Sequence, residues 1–252
     1  MTIAPDVEEA FGRLTEIRPS GVHDETLESA AVRRFAEQFG ADVSAIDDGQ
    51  RDDFVLATGD RQFDVAQMVW IADVAPRLRA GLDALFGAAE WPEPARRYPV
   101  ASVWSIIEVI ITSVARLTAL DATTTELIRL RGARQHNCRL CASRRSAQAI
   151  EAGAGDPEFA AVDDYADSDL PEATKVALAL VDALIWTPTA IPEQVVADVR
   201  EHLSDAQAVE VVLDVARNAA NKIAVALGAD APEVTDGVQL FTTDVDGTLS
   251  VV

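Results

Sequence analysis

The segment 123–153 constrains the fold most, because its residue pattern predicts two successive helices joined by a short break. Thr123 and Glu126 have the T-x-x-E spacing of a capping box, in which each side chain bonds a free amide at a helix start. An apolar stripe then continues to about Gln135. A run of small and apolar residues from Cys141 onward predicts a second helix, which Gly153 would end.

The same segment contains both cysteines of the chain, Cys138 and Cys141, spaced as C-x-x-C. We expect both to lie in or near the first turn of the second helix, where unpaired backbone N–H groups and the helix dipole lower a thiol pKa. The first residues show neither a basic segment nor a continuous apolar run, so no secretory signal is predicted and a cytoplasmic location is expected. Two cysteines in such a chain indicate redox or metal chemistry rather than a disulfide framework.

The rest of the sequence also reads as helical segments separated by polar breaks, which predicts an all-α fold. Pro76 is expected to divide one long helix, and Ser204 with Gln207 forms a second capping-box pair. The C-terminal tail alternates in polarity around the turn residues Asp246 and Gly247, which predicts a short β-hairpin. The other predicted helices span residues 24–39, 52–56, 63–85, 171–186, 192–202 and 204–227.

Two helices carry polar residues along one face. In the apolar run 100–120, polar residues recur at intervals of three and four, which indicates a core helix and not a membrane span. On the predicted helix 204–227, Asp214, Asn218 and Asn221 share one face, and we expect that face to be solvated. The segment 88–99 is rich in proline and charge and is the predicted boundary between two parts of the chain.

The chain has 42 acidic and 21 basic residues, a formal net charge of −21. An acidic surface repels phosphate backbones and anionic lipid headgroups, so nucleic-acid binding and membrane association are not expected. The charge does not point to any substrate.

Glu126, twelve residues before Cys138, together with the C-x-x-C pair, resembles the carboxymuconolactone decarboxylase and alkyl-hydroperoxidase D superfamily. Those all-helical proteins carry E-x(11)-C-x-x-C-x-x-x-H on two successive helices. The resemblance covers roughly residues 100–230, and it includes a late N-x-x-N segment in which Lys222 stands where the family has arginine. It implies an AhpD-like helical bundle at 91–252, preceded by a helical N-terminal extension at 1–90.

The resemblance also implies roles for individual residues. Cys141 would attack a hydroperoxide, Cys138 would resolve the product, and Glu126 would belong to a proton relay. Arg145 stands where the family has histidine, and an arginine stays protonated and cannot shuttle a proton. His136 is the candidate substitute for the relay base. Neither a metal nor an organic cofactor is implied. The expected partners are a hydroperoxide, a thiol or disulfide reductant, and further copies of the chain in a homo-oligomer.

Three alternatives remain open at this point. The cysteines could be inert buried thiols, or they could form part of a zinc site with His136, although that site has no clear fourth ligand. The chain could also be a non-catalytic, redox-responsive helical oligomer. The replacement at Arg145 favours this last reading, and the intact set of Glu126, Cys138 and Cys141 favours the enzyme.

Overall fold

The computed structural model describes residues 5–16, 28–88 and 103–252. Helices dominate these ranges, which confirms the all-α prediction. The first five helices are α1 (Pro5–Glu16), α2 (Ala30–Ala41), α3 (Asp48–Thr58), α4 (Gln62–Phe86) and α5 (Val103–Val114). They are followed by α6 (Ala122–Gln135), α7 (Arg139–Ala142), α8 (Ala147–Glu151), α9 (Asp156–Ala161), α10 (Glu172–Trp186), α11 (Glu193–His202), α12 (Asp205–Ala219) and α13 (Lys222–Ala226).

Three helices, α6, α10 and α12, pack against one another and form the centre of the bundle. Leu127, Ile128 and Leu130 of α6 and Leu178 of α10 are fully buried there. Helix α4 packs against α12 and adds the buried Trp70. Full burial of one such side chain contributes about 1.5–3 kcal/mol, so this contact layer accounts for much of the driving force for folding.

The N-terminal helices join the same hydrophobic core. Helix α1 packs on α5, and α2 packs on α3, where the rings of Phe35 and Phe54 stack with centroids 3.8 Å apart. The predicted boundary at 88–99 and the predicted start of a helix at residue 24 lie largely outside the described residues. The division of the chain near residue 90 therefore stays a prediction.

Helix α4 corrects one expectation, because Pro76 lies inside it and does not divide it. Proline removes one helical hydrogen bond and usually kinks or breaks a helix. Here Val74, Ala75 and Leu78 are buried on both sides of the proline. Their burial keeps this helix continuous through Pro76, from Gln62 to Phe86.

Helix α5 confirms the predicted core helix. It buries Ile106, Ile107 and Ile110 and exposes Ser105 and Glu108. No helix within the described ranges is long and apolar enough to cross a membrane.

The predicted capping box at the start of α6 is wrong. Asp121 is the N-cap and accepts a hydrogen bond from the Thr124 amide at 2.9 Å, and its second oxygen accepts one from the Thr124 hydroxyl. Thr123 lies inside the first turn. Glu126 is therefore released from the helix start, and it is buried in the interior.

The second helix predicted for the cysteine segment is also wrong in extent. It is split into α7 and α8 by a three-residue strand, β1 (Arg144–Ser146). This strand pairs in parallel with β2 (Gln239–Thr243), which pairs in antiparallel fashion with β3 (Leu249–Val251). The last two strands confirm the predicted hairpin. Strand β2 pairs with β1 across 95 residues of sequence, and local periodicity carries no information about such a distant partner, so the sequence alone does not predict the break.

Helix α12 begins with the predicted capping box of Ser204 and Gln207. It ends at Ala219, and α13 continues after a short break. The expected solvated face is wrong at Asp214, which is buried.

Candidate functional site

The two cysteines form a disulfide at the start of α7, with their Cα atoms 5.3 Å apart. Cys138 is the N-cap residue, and its sulfur accepts a hydrogen bond from the Cys141 amide at 3.2 Å. The chain reaches this position through Asn137, whose φ of 50° is a left-handed conformation that asparagine tolerates. Both cysteines are buried, Cys138 at 2% and Cys141 at 7% exposure. The expectation that both lie at a helix start is confirmed.

Glu126 lies on α6, the helix that precedes the disulfide in the chain, and is paired with Arg129. Nε and Nη2 of the guanidinium each donate a hydrogen bond to one oxygen of the carboxylate, at 2.7 Å each. The backbone amide of Ser146 adds a third hydrogen bond to Glu126 at 3.1 Å. The carboxylate side chain is 1% exposed, so this is a buried and fully hydrogen-bonded ion pair.

Arg129 connects that ion pair to the cysteine segment. Its Nη1 donates to the carbonyl of Cys141 at 2.8 Å, and its Nη2 donates to the carbonyl of Arg144 at 2.7 Å. The guanidinium also lies 5.2 Å from the ring centroid of Phe241 on β2. One side chain therefore joins Glu126, the end of α7 and the sheet. Sequence reasoning missed it, although its position one turn after Glu126 was a usable signal.

Arg145 does not lie one turn further along the cysteine helix, because α7 ends at Ala142. It is the central residue of β1, and its Nη1 donates to the carbonyls of Ala142 and Arg144 at 2.8 Å each. Its guanidinium lies 5.2 Å from the ring centroid of Phe159. Burial, followed by the charge of Arg129, lowers the pKa of Arg145. Its donors serve the backbone, which is a structural role.

His136 ends α6 and is buried. Burial lowers its pKa to about 3, and the charges of Lys222 and Arg77 act in the same direction. The imidazole is therefore neutral over the physiological range. It lines a small cavity of about 30 Å³ together with Asp73, Arg77 and Lys222, and the described lining includes no cysteine.

Lys222, on α13, is buried and pairs with Asp73 at 2.5 Å. Desolvation lowers its pKa, although the pairing with Asp73 opposes this shift. Asp73 also binds Arg77 at 2.6 Å, and Arg77 donates to the carbonyl of Ile185. These contacts connect α4, α10 and α13, which is a structural role.

Residues that follow α13 form hydrogen bonds and an ion pair with the cysteine segment. Asp230 accepts from the Arg139 amide at 2.9 Å and from its guanidinium at 2.6 Å. The carbonyl of Asp230 accepts from the Leu140 amide at 2.9 Å. Arg144 pairs with Glu233 at 3.1 Å. Although desolvation opposes it, hydrogen bonding from Arg139 lowers the pKa of Asp230.

Helix α12 presents two further buried acids and an arginine. Glu210 accepts from the Ala119 amide at 2.6 Å, and burial raises its pKa. Burial also raises the pKa of Asp214 to about 7, with Arg217 opposing the shift and Glu210 adding to it. Among the described residues, Oδ2 of Asp214 has no hydrogen-bond partner.

Two relatives from Mycobacterium tuberculosis share this sequence over most of its length. They are the uncharacterized protein Rv2313c of strain ATCC 25618 / H37Rv and the uncharacterized protein MT2376 of strain CDC 1551 / Oshkosh. Each is 41% identical over 229 residues, which cover 88% of this chain and 81% of the relative. The chain belongs to their family. No protein-family model and no solved structure matches the chain.

Within this family member, the structure brings together some of the candidate residues and separates others. Cys138, Cys141 and Glu126 are connected through Arg129, while His136 lies with the charged cluster around Lys222. The long-range contacts from Asp230 and Phe241 come from residues distant in sequence. Only the three-dimensional fold could reveal them.

Proposed function

We propose that this protein is a thiol-dependent oxidoreductase that reduces hydroperoxides through Cys138 and Cys141, as a member of the carboxymuconolactone decarboxylase and alkyl-hydroperoxidase D superfamily. The observation that carries the proposal is the disulfide at a helix start, connected by Arg129 to Glu126. The cytoplasm is the proposed setting, since thiol reductants there reopen disulfides.

The proposed cycle balances without a metal or organic cofactor. The Cys141 thiolate attacks one peroxide oxygen, the O–O bond breaks, and the alkoxide leaves with a proton as an alcohol. Cys141 is then a sulfenic acid. The thiol of Cys138 attacks that sulfur, water leaves, and the disulfide forms. A dithiol reductant restores both thiols and is itself oxidised to a disulfide.

Burial and hydrogen bonding support this division of roles. Cys141 is the more exposed cysteine, as an attacking thiol requires. The sulfur of Cys138 accepts a hydrogen bond from the Cys141 amide, which stabilises the thiolate of Cys138 in the second step, when it attacks the sulfenic acid of Cys141. Glu126 is the carboxylate that the hydrogen bonds of Arg129 connect to Cys141. For Glu126 to exchange a proton, its pairing with Arg129 would have to open.

The second candidate is a non-catalytic, redox-responsive helical protein. Three observations support this second candidate. Both cysteines are buried, Arg145 is fixed to backbone carbonyls, and His136 lies in another cavity with a pKa of about 3. A histidine base at the family position is thus replaced by a structural arginine.

The decisive experiment follows thiol loss by stopped flow after an organic hydroperoxide is mixed with the reduced chain. We expect wild type to lose two thiols and Cys141→Ser to lose none. Cys138→Ser should leave a sulfenic acid, which a dimedone adduct would report by mass spectrometry. If Cys141→Ser reacts as fast as wild type, the role assignment is wrong. If both single variants match wild type, the enzyme proposal is wrong.

Glu126→Gln tests the proton relay. We expect the rate of thiol loss to fall by about 10²–10⁴-fold, with a changed pH profile, because a positioned proton-transfer group contributes this much. Arg129→Gln is the matched control, since it breaks the same ion pair but leaves the carboxylate. Equal losses with an unchanged pH profile in both variants would assign Glu126 a structural role only.

Arg145→His separates the two candidates. A large rise in peroxidase rate would mean that the natural chain is adapted away from fast peroxide reduction, which favours the redox-responsive protein. An unchanged rate in a chain that already turns over favours the enzyme. The initial rate of peroxide reduction is enough to distinguish the two candidates, once circular dichroism shows that wild type and Arg145→His are equally folded.

We also infer a homo-oligomer. Trp104 and Val109 on α5 remain exposed, and the ring of Trp104 contacts exposed Phe63 at 5.5 Å between centroids. An apolar area of this kind is typical of surfaces that pair between subunits. Light scattering should give at least twice the chain mass. A monomer at micromolar concentration would contradict the inference.

A further inference from the structure

A cavity of about 230 Å³ lies between the α5–α6 loop, α6, α12 and β2. Its described lining contains neither cysteine, and it adjoins the proposed thiol site through Glu126 and Arg129. We propose that this cavity binds a small organic acid, whose carboxylate pairs with Arg217 and whose apolar body packs on Leu117, Leu120 and Phe241.

The size and composition of the cavity fit such a ligand. Its volume equals the share of about seven or eight water molecules at ~30 Å³ each. Apolar lining residues from three elements surround a few polar ones, among them Thr118 and Thr125. Small-molecule sites have this composition, in which apolar area supplies contact and a few polar groups fix orientation.

Arg129 also lines the cavity, but it is not the anchor for an anion. Its guanidinium donates two hydrogen bonds to Glu126 and two more to the carbonyls of Cys141 and Arg144. The charge of Glu126 is matched by the charge of Arg129. This pair therefore contributes no net charge to the cavity.

Arg217 is different, because within the described part of the chain its guanidinium has one ion-pair contact, and that contact is long. Its side chain is 13% exposed, and its ion-pair contact, Nη1 to Oδ1 of Asp214, is 3.6 Å long. That distance is beyond an ordinary hydrogen bond. The raised pKa of Asp214 means that this carboxyl carries a proton for part of the time near neutral pH. A largely desolvated guanidinium in this position attracts an external carboxylate, whose two oxygens match its planar fork.

The charge balance favours a monoanion. Arg217 supplies one positive charge, which the long ion pair with Asp214 balances only in part, and Glu210 is a further acid on the same helix, α12. A dianion such as inorganic phosphate would leave one negative charge without a partner in a partly dry site. A fully polar anion would also make no favourable contact with the apolar residues of the lining.

The test is titration of the oxidised wild-type chain with benzoate and with hexanoate, followed by heteronuclear NMR and by calorimetry. Benzyl alcohol and hexylamine are the matched neutral and cationic probes. We expect both carboxylates to bind with shifts confined to residues around the cavity, and the alcohol and amine to bind at least tenfold more weakly. Equal binding of benzoate and benzyl alcohol would overturn the proposal, as would the absence of carboxylate binding.

Variants locate the site. Arg217→Gln should weaken benzoate binding at least tenfold, while Arg217→Lys should retain most of the affinity. Arg34→Gln, at a surface ion pair with Asp53, is the control and should bind as wild type does. If Arg217→Gln binds benzoate as tightly as wild type, the anchor is wrong.

A second variant keeps the proposal testable if Arg217→Gln does not fold. Thr118 lies at the exposed rim of the cavity, so Thr118→Trp should block entry without disturbing the core. Thr189→Trp, in an exposed loop that does not line the cavity, is its control. Blocked binding in Thr118→Trp alone supports the site. Unchanged benzoate affinity in Thr118→Trp would overturn it. Neither outcome depends on the thiols, so the redox proposal is tested separately.

Discussion

Asp214→Asn should change how the stability of this protein depends on pH. Asp214 is 1% exposed, and burial raises its pKa from 3.8 to about 7. Between these two values the folded chain holds a proton that the unfolded chain has released. The free energy of unfolding therefore falls as pH rises through this window, and it stops falling above pH 7.

The size of the effect follows from the shift. About three pKa units correspond to roughly 4 kcal/mol, because one unit is worth about 1.4 kcal/mol. Between pH 5 and pH 8, about 3 kcal/mol of this should be seen as a difference between wild type and Asp214→Asn. Asparagine does not titrate, so any fixed cost of its amide shifts the whole curve without adding a slope.

The assay is urea unfolding of both chains at half-unit steps from pH 5 to pH 8, read as a difference in unfolding free energy. The difference curve removes the other titrating groups. Asp205→Asn, at an exposed position in the first turn of the same helix, is the control and should change stability by no more than about 0.5 kcal/mol. A difference curve that is flat, or that rises for wild type, would refute the burial argument.

Three further predictions concern other buried groups. In wild type, the free energy of unfolding should rise by about 2 kcal/mol between pH 5 and 6.5, because the folded pKa of His136, about 3, lies below the unfolded value of 6.5. His136→Gln should remove this rise. Urea unfolding over that range measures it, and a variant with the same pH slope as wild type would contradict the prediction. Gly247→Ala should cost more than about 1 kcal/mol, because φ is +85° and an added Cβ would collide with the carbonyl of Thr112; faster proteolysis of the hairpin would report the detachment, and wild-type resistance would count against it. Arg129→Lys should cost about 1–3 kcal/mol and speed disulfide reduction by dithiothreitol, since one ammonium cannot replace four donor contacts, among them those to Glu126; unchanged reduction kinetics would argue against the coupling.

Local patterns determined the helical character of this protein. The capping box of Ser204, the apolar face of α5 and the hairpin around Gly247 follow from residues close in sequence, so periodicity and turn chemistry suffice to predict them. The placement of both cysteines at a helix start was also predictable, because it rests on spacing within one short segment.

The tertiary structure decided what these elements do. Strand β1 interrupts a segment of helical character because β2 offers it backbone partners, and that pairing spans 95 residues. Asp121 takes the cap of α6, which leaves Glu126 to pair with Arg129, and Asp214 is buried although its pattern suggested solvent. Burial and charge pairing depend on which distant residues surround a side chain, and a local pattern carries no information about those neighbours.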